Sequence, residues 1–170
     1  MKNLKSPIGK VKFTEYSEEI KEKYIQTIDH FHESINTLTT GLSDKDLLKT
    51  YRPGGWNIRQ LVHHCADSHM CAYIRFKLAL TEINPVIKPY EEAAWAELVD
   101  NSANISFSLS ILKGVHHRWA VLLKSLTVSE FDRTFYHPES EATMSLWEAL
   151  AMYDWHARHH LAHIEIAKGS

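Results

Sequence analysis

The sequence predicts an all-α fold, a four-helix bundle with a long crossover connection. Three observations carry that prediction. Four stretches repeat apolar side chains at steps of three and four, as an amphipathic helix requires. Short breakers rich in Gly, Pro, Asn and Ser separate them. No alternating run is long enough to read as a strand, so helices must pack on helices.

The first stripe is Ile20, Tyr24, Ile28, Phe31, Ile35 and Leu38, a helix over roughly 17–40 that Gly41 ends. Arg52-Pro53-Gly54-Gly55 then breaks the chain. Asn57 and Gln60 stand at capping-box spacing and open a second helix that runs to about Leu80. Residues 82–102 hold Asn84-Pro85, Lys88-Pro89 and a short helix around Glu91–Leu98, a connection long enough for a crossover. The third helix spans roughly 103–126, with Leu109, Leu112, His116, Trp119, Leu123 and Leu126 on one side. Residues 127–140 read as a loop. Thr143 or Ser145 caps the fourth helix, which reaches Lys168 with Gly169 beyond it.

The 170 residues suffice for one domain with a substantial core. The formal net charge of −2 provides no field to draw in nucleic acid or an anionic membrane. No apolar run approaches a membrane span of about 20 residues, and the first ten residues lack the apolar region of a secretory signal. Cys65 and Cys71 stand six apart on one helix, about 9 Å at 1.5 Å per residue, beyond disulfide reach. Reduced thiols and no signal point to the cytoplasm.

The chemistry lies in the 12 histidines. On the fourth helix they occupy the stripe where core leucines belong: Leu146, Ala149, Tyr153, His156, His160, then His163 or Ile164. A buried imidazole needs partners for both nitrogens, and a metal ion with an outer acceptor supplies them. His156 and His160, at i and i+4, share a face and can grip one ion; His160 and His163 are the other usable pair. His159 points about 100° away from His160. On the second helix His64 lies on the inward stripe and His63 does not. A third ligand from that helix leaves an open coordination position, the arrangement of a catalytic site. Asp67, one turn after His64, is either an outer acceptor or base, or a solvated carboxylate. The role of His116 stays open, and His30, His32 and His69 are expected to face solvent. A hydrogen-bonded polar layer without metal is the plainer alternative.

Pro53-Gly-Gly-Trp56-Asn-Ile-Arg59-Gln60-Leu-Val-His63-His64-Cys-Ala-Asp67-Ser-His69 resembles the first motif of the DinB/YfiT-like superfamily, in which a tryptophan precedes the metal histidine by eight. Trp155-His156-Ala-Arg158-His159-His160-Leu-Ala-His163-Ile164 is similar to the second, where two histidines four apart complete the site. The likeness to the YfiT branch extends through Ile74-Arg-Phe-Lys-Leu-Ala-Leu and Lys88-Pro-Tyr-Glu. The resemblance implies His64, His156 and His160 as ligands of one nickel or zinc ion, a four-helix bundle and a homodimer. Cys65 stands where relatives carry an aliphatic residue. As to reaction, the resemblance implies either a small-thiol S-transferase of the bacillithiol type or a metal-dependent hydrolase.

Both chemistries use a cation held by three neutral imidazoles to stabilise an anion, thiolate in one case and hydroxide in the other. Ala157 follows His156, so the glutamate of a His-Glu-x-x-His motif is absent. Hydrolysis would need a base from elsewhere, such as Asp67, which tilts the expectation toward thiol transfer. A third reading is a non-catalytic metal or small-ligand module, closed by a fourth ligand from His116, His159 or His163.

Overall fold

The computed structural model describes residues 3–169. Its long helices are α1 (Glu18–Thr39), α3 (Ile58–Thr81), α5 (Ser106–Ser125) and α7 (Leu146–Lys168). Three single-turn helices lie between them: α2 (Asp44–Leu47), α4 (Glu92–Trp95) and α6 (Val128–Phe131). A 3-10 turn covers Val99–Ser102. Each boundary has a local cause. Ser17 caps α1, and Gly41 takes a positive φ of 77° just after it. Asn57 and Gln60 close a reciprocal capping box on α3. Ser145, not Thr143, caps α7, and Glu148 reaches back to complete the box.

α1 and α3 each pack against both α5 and α7. Consecutive long helices α1 and α3 therefore sit on one diagonal of the bundle, and α5 and α7 on the other. The chain must cross an end of the bundle to pass from α1 to α3 and again from α5 to α7. The expected four-helix bundle is thus present, and so is the crossover in the connection after α3: His63 near the start of α3 bonds to Ala103 and Ser108 at the start of α5, so these neighbours are parallel and the chain between them must run back along the bundle.

One expectation is corrected. Residues 127–140 are not simply a loop. They hold α6 and strand β1 (Thr134–His137), which pairs antiparallel with β2 (Ala142–Ser145) in the register Thr134↔Ser145 to His137↔Ala142. Four residues give only two cycles of alternation, too few to stand out in the sequence. The hairpin is held by tertiary contacts: Phe135 is buried, and Tyr136 exchanges backbone hydrogen bonds with Pro85 and Ile87. Its Phe135 and Met144 form part of a cavity wall.

The apolar core is two clusters. One gathers Phe76, Trp119, Phe131, Phe135 and Trp147; the other gathers Phe31, Ile58, Leu61, Leu112 and Ile164. Each fully buried Leu, Ile or Phe stabilises the fold by about 1.5–3 kcal/mol. His69 touches Phe31 of the second cluster and Trp119 and Tyr153 of the first. A layer of histidines therefore lies where the two clusters meet.

Candidate metal centre

Three imidazoles converge between α3 and α7. The ligand nitrogens of His64, His156 and His160 all lie within 4.8 Å of one another, and Nε2 of His64 stands 3.2 Å from Nε2 of His156. Two nitrogens bound tetrahedrally to one ion at about 2.05 Å would be about 3.3 Å apart. The donor set therefore fits a divalent cation. Nδ1 of His160 is buried with no hydrogen-bond partner, an orphan that suits a ring held for some other purpose. Burial pushes the His64 imidazole down to about 4, with the charge of His159 adding to the effect. Burial also holds His156 and His160 well below their ordinary range, so all three rings are neutral and free to donate at neutral pH.

The ring behind His156 is a finding of the structure. His156 Nδ1 lies 3.0 Å from His69 Nε2, His69 Nδ1 lies 2.7 Å from His116 Nε2, and His116 Nδ1 lies 2.5 Å from the carbonyl of Ile28. This chain of bonds crosses all four long helices, from α7 through α3 and α5 to α1. A backbone carbonyl can only accept, so Nδ1–H of His116 donates to Ile28. Neutral His116 must then accept at Nε2 from Nδ1–H of His69. Neutral His69 in turn accepts at Nε2 from Nδ1–H of His156. That leaves the lone pair of His156 on Nε2, the atom that faces His64. Burial keeps His116 at about 4 and His69 well below its usual range, so both rings are neutral. An outer hydrogen bond of this kind fixes tautomer and ring orientation.

The expectation that His69 faces solvent is therefore wrong: it is fully buried. The helical wheel turns it away from the His64 stripe. α3, however, packs against both α5 and α7, so its buried arc is far wider than one stripe. His30 is exposed as expected and His32 is half-buried. His116, left open from sequence, uses both nitrogens in the relay and has none to offer as a fourth ligand.

His63 does turn away, toward the start of α5. Its Nε2–H donates to the Ala103 carbonyl at 3.2 Å, and its Nδ1 accepts from the Ser108 hydroxyl at 2.7 Å. Among the described residues no hydrogen bond joins Asp67 to an imidazole. Asp67 is half-buried, and burial, reinforced by Asp100, raises its carboxyl to about 6. Cys65 is buried, its thiol pushed up by that burial, and Cys71 is half-buried.

His159, His160 and His163 form a second group whose donor atoms lie equally close. It shares His160, and a neutral imidazole has one lone pair, so His160 can serve only one group at a time. His159 stacks on Trp155, with ring centroids 4.4 Å apart, and His163 on Tyr51 at 3.8 Å. The backbone of Leu4 and Lys5 also favours protonation of His163, against the burial that lowers it to about 4. The first group has ring contacts of its own, Trp56 with His64 at 4.7 Å and Tyr153 edge-on to His156 at 5.9 Å, but its nitrogens meet between two helices, whereas the second group lies wholly on α7.

His156 is also the link to open space. It lines a cavity of about 260 Å³ walled by Phe135 and Met144 of the hairpin, Met152 and Tyr153 of α7, and Arg75 of α3. No helix among the described residues is long and apolar enough to cross a membrane.

Known proteins match this architecture closely. The Bacillus subtilis (strain 168) protein called "Putative metal-dependent hydrolase YfiT" is 48% identical over 164 residues, covering 95% of this chain and 92% of its own. The solved structure of YfiT from Bacillus subtilis, described as a probable metal-dependent hydrolase with an unusual four-helix bundle topology, superposes with a TM-score of 0.94. It is 46% identical and covers 98% of this chain and 97% of its own. The mycothiol-dependent maleylpyruvate isomerase superposes at 0.65 with 15% identity, over 85% of this chain and 60% of its own, a likeness of fold alone. The profile of the DinB superfamily matches residues 18–164, which takes in both histidine motifs and all of the bundle but the last turn of α7. The chain belongs to the DinB superfamily.

Proposed function

We propose that this protein is a metal-dependent enzyme that activates a nucleophile for attack on a small organic molecule, with His64, His156 and His160 holding one nickel or zinc ion. One observation carries this reading: three neutral imidazole nitrogens, with no carboxylate among them, meet beside a cavity that His156 lines. A divalent cation held there keeps its full charge and lowers the pKa of a thiol or a water molecule placed beside it. The chain's own residues supply orientation. His69 and His116 set the tautomer of His156, and the Trp56 ring packs against that of His64.

The nucleophile we favour is a small thiol of the bacillithiol type, which makes the enzyme an S-transferase acting on electrophiles. A thiol has an ordinary pKa of about 8.5 and needs little help to ionise. In support, no carboxylate among the described residues is hydrogen-bonded to an imidazole of the site, so no base stands ready to take a proton from water. Hydrolysis is the second reading. It is supported by Asp67, whose carboxyl at about 6 suits a general base near neutrality, and by the name of the YfiT relative. We also propose a cytoplasmic homodimer. The exposed apolar side chains of Val99 and Phe107 support an interface, and light scattering tests it.

The deciding experiment uses untagged protein loaded with nickel or zinc. It compares conjugation of bacillithiol to monochlorobimane with hydrolysis of a panel of esters and amides without thiol. Metal-dependent conjugation supports S-transfer. Ester or amide hydrolysis without conjugation to any thiol replaces it with the hydrolase. Neither activity, with a fourth protein side chain on the ion, overturns both.

A further inference from the structure

Arg75 is a buried cation that, among the described residues, no carboxylate contacts directly. Its side chain lies on α3, the residue is only 8% exposed, and it lines the cavity that His156 also lines. Its Nη1 donates to the Tyr153 hydroxyl at 3.3 Å. Among the described residues no carboxylate forms a hydrogen bond or ion pair with it. Glu92 lines the same cavity, and the charge of Arg75 acts on its carboxyl, but no hydrogen bond or ion pair joins the two side chains. A planar guanidinium with donors to spare is shaped to donate to two carboxylate oxygens side by side.

The rest of the cavity describes the remainder of the ligand. Phe135, Met144 and Met152 make one apolar wall, and methionines adapt to irregular shapes. The volume of about 260 Å³ holds roughly nine groups the size of a water molecule, at about 30 Å³ each. Tyr153 bridges the two ends: its hydroxyl meets Arg75, and its ring lies edge-on to that of His156 with centroids 5.9 Å apart.

We infer that the cavity is a binding site for a small organic carboxylate with an apolar body, anchored by Arg75 through its carboxylate so that its other end faces His156. The inference rests on the metal-centre reading only for which end reacts; the anchoring itself does not require the ion.

The test follows the Met144 and Met152 methyl groups by NMR in metal-free and zinc-loaded protein. The probes are phenylacetate and its uncharged counterpart phenylacetamide. Phenylacetate should shift both methyls saturably in both forms of the protein, and phenylacetamide should bind at least about tenfold more weakly. Arg75→Gln should lose the preference for the acid while still binding one equivalent of zinc. Because removing a buried arginine can unsettle the fold, Met144→Trp, which fills the cavity and keeps Arg75, should also abolish phenylacetate binding. Equal binding of acid and amide, or full phenylacetate binding by Met144→Trp, overturns the inference, as does no binding by the wild type. Phenylacetate binding with no uptake of zinc supports the pocket and overturns the metal centre instead.

Discussion

Replacing His116 by leucine should weaken zinc binding although His116 touches none of the three converging imidazoles. It acts through His69. The Ile28 carbonyl holds the His116 proton on Nδ1, which leaves Nε2 to accept from His69 at 2.7 Å. Leucine removes that acceptor and leaves a fully buried His69 N–H unpaired, which costs about 1–3 kcal/mol. His69 escapes the cost by moving its proton to Nε2, where it faces Nδ1 of His156 at 3.0 Å. His156 must then accept at Nδ1 and carry its own proton on Nε2, the atom needed for the cation. Losing the outer bond of a ligating histidine typically costs about 10–100-fold in metal affinity, or about 1.4–2.8 kcal/mol. Glutamine can accept from His69 with its oxygen and donate to Ile28 with its amide, so His116→Gln should recover most of the loss. The assay is a zinc titration against a competing chromophoric chelator at neutral pH, with long-range ¹H–¹⁵N spectra reporting which nitrogen of His156 is protonated. Unchanged affinity and an unchanged tautomer in a folded His116→Leu protein would refute the relay.

Other outcomes follow from the same geometry. His160→Ala should abolish stoichiometric metal uptake, whereas His63→Ala should keep it and lose about 1–3 kcal/mol of stability with its bonds to Ala103 and Ser108; metal analysis and urea melts check both. In metal-free protein, stability should fall as the solution is acidified from about pH 6.5 toward 4. His64 and His116 are held at about 4 in the fold and return to about 6.5 when unfolded, so in that window the unfolded chain binds the extra protons and is favoured. At pH 5.5 each contributes a loss of about 1.4 kcal/mol relative to pH 8, a few kcal/mol together, and a flat profile would mean the rings are not buried. The same shifts imply that zinc binding at pH 7 releases few protons from the ligands. Affinity should therefore hold to lower pH than for exposed imidazoles, which begin to protonate near 6.5; calorimetry in buffers of different ionisation enthalpy measures this. Thr27→Val should cost about 1 kcal/mol, because it removes a 2.7 Å hydrogen bond that ties α1 to the buried Asp154 of α7.

The four long helices were legible because their stripes are long and their caps are local. Ser145 with Glu148 and Asn57 with Gln60 are signals contained within four residues. The hairpin was not, because Thr134–His137 is held by Pro85 and Ile87, about fifty residues upstream, and nothing local encodes that contact. The spacing of His156 and His160 fixed a shared face, and the structure brings His64 to them across two packed helices. His69 was misjudged because a wheel drawn for one neighbour cannot describe a helix flanked by two. Arg75 stood in a stretch that carries the family likeness, but nothing marked it as buried: an arginine in an amphipathic helix reads as a surface residue until the hairpin closes over it.

The central claim is convergence of three imidazoles on one ion with a coordination position left open. Anomalous scattering from a crystal of the untagged protein grown with zinc or nickel tests it most directly. The account predicts one ion about 2.1 Å from nitrogens of His64, His156 and His160, with no fourth protein ligand. An ion seated instead on His159 and His163, or three empty rings in the presence of excess metal, would contradict it.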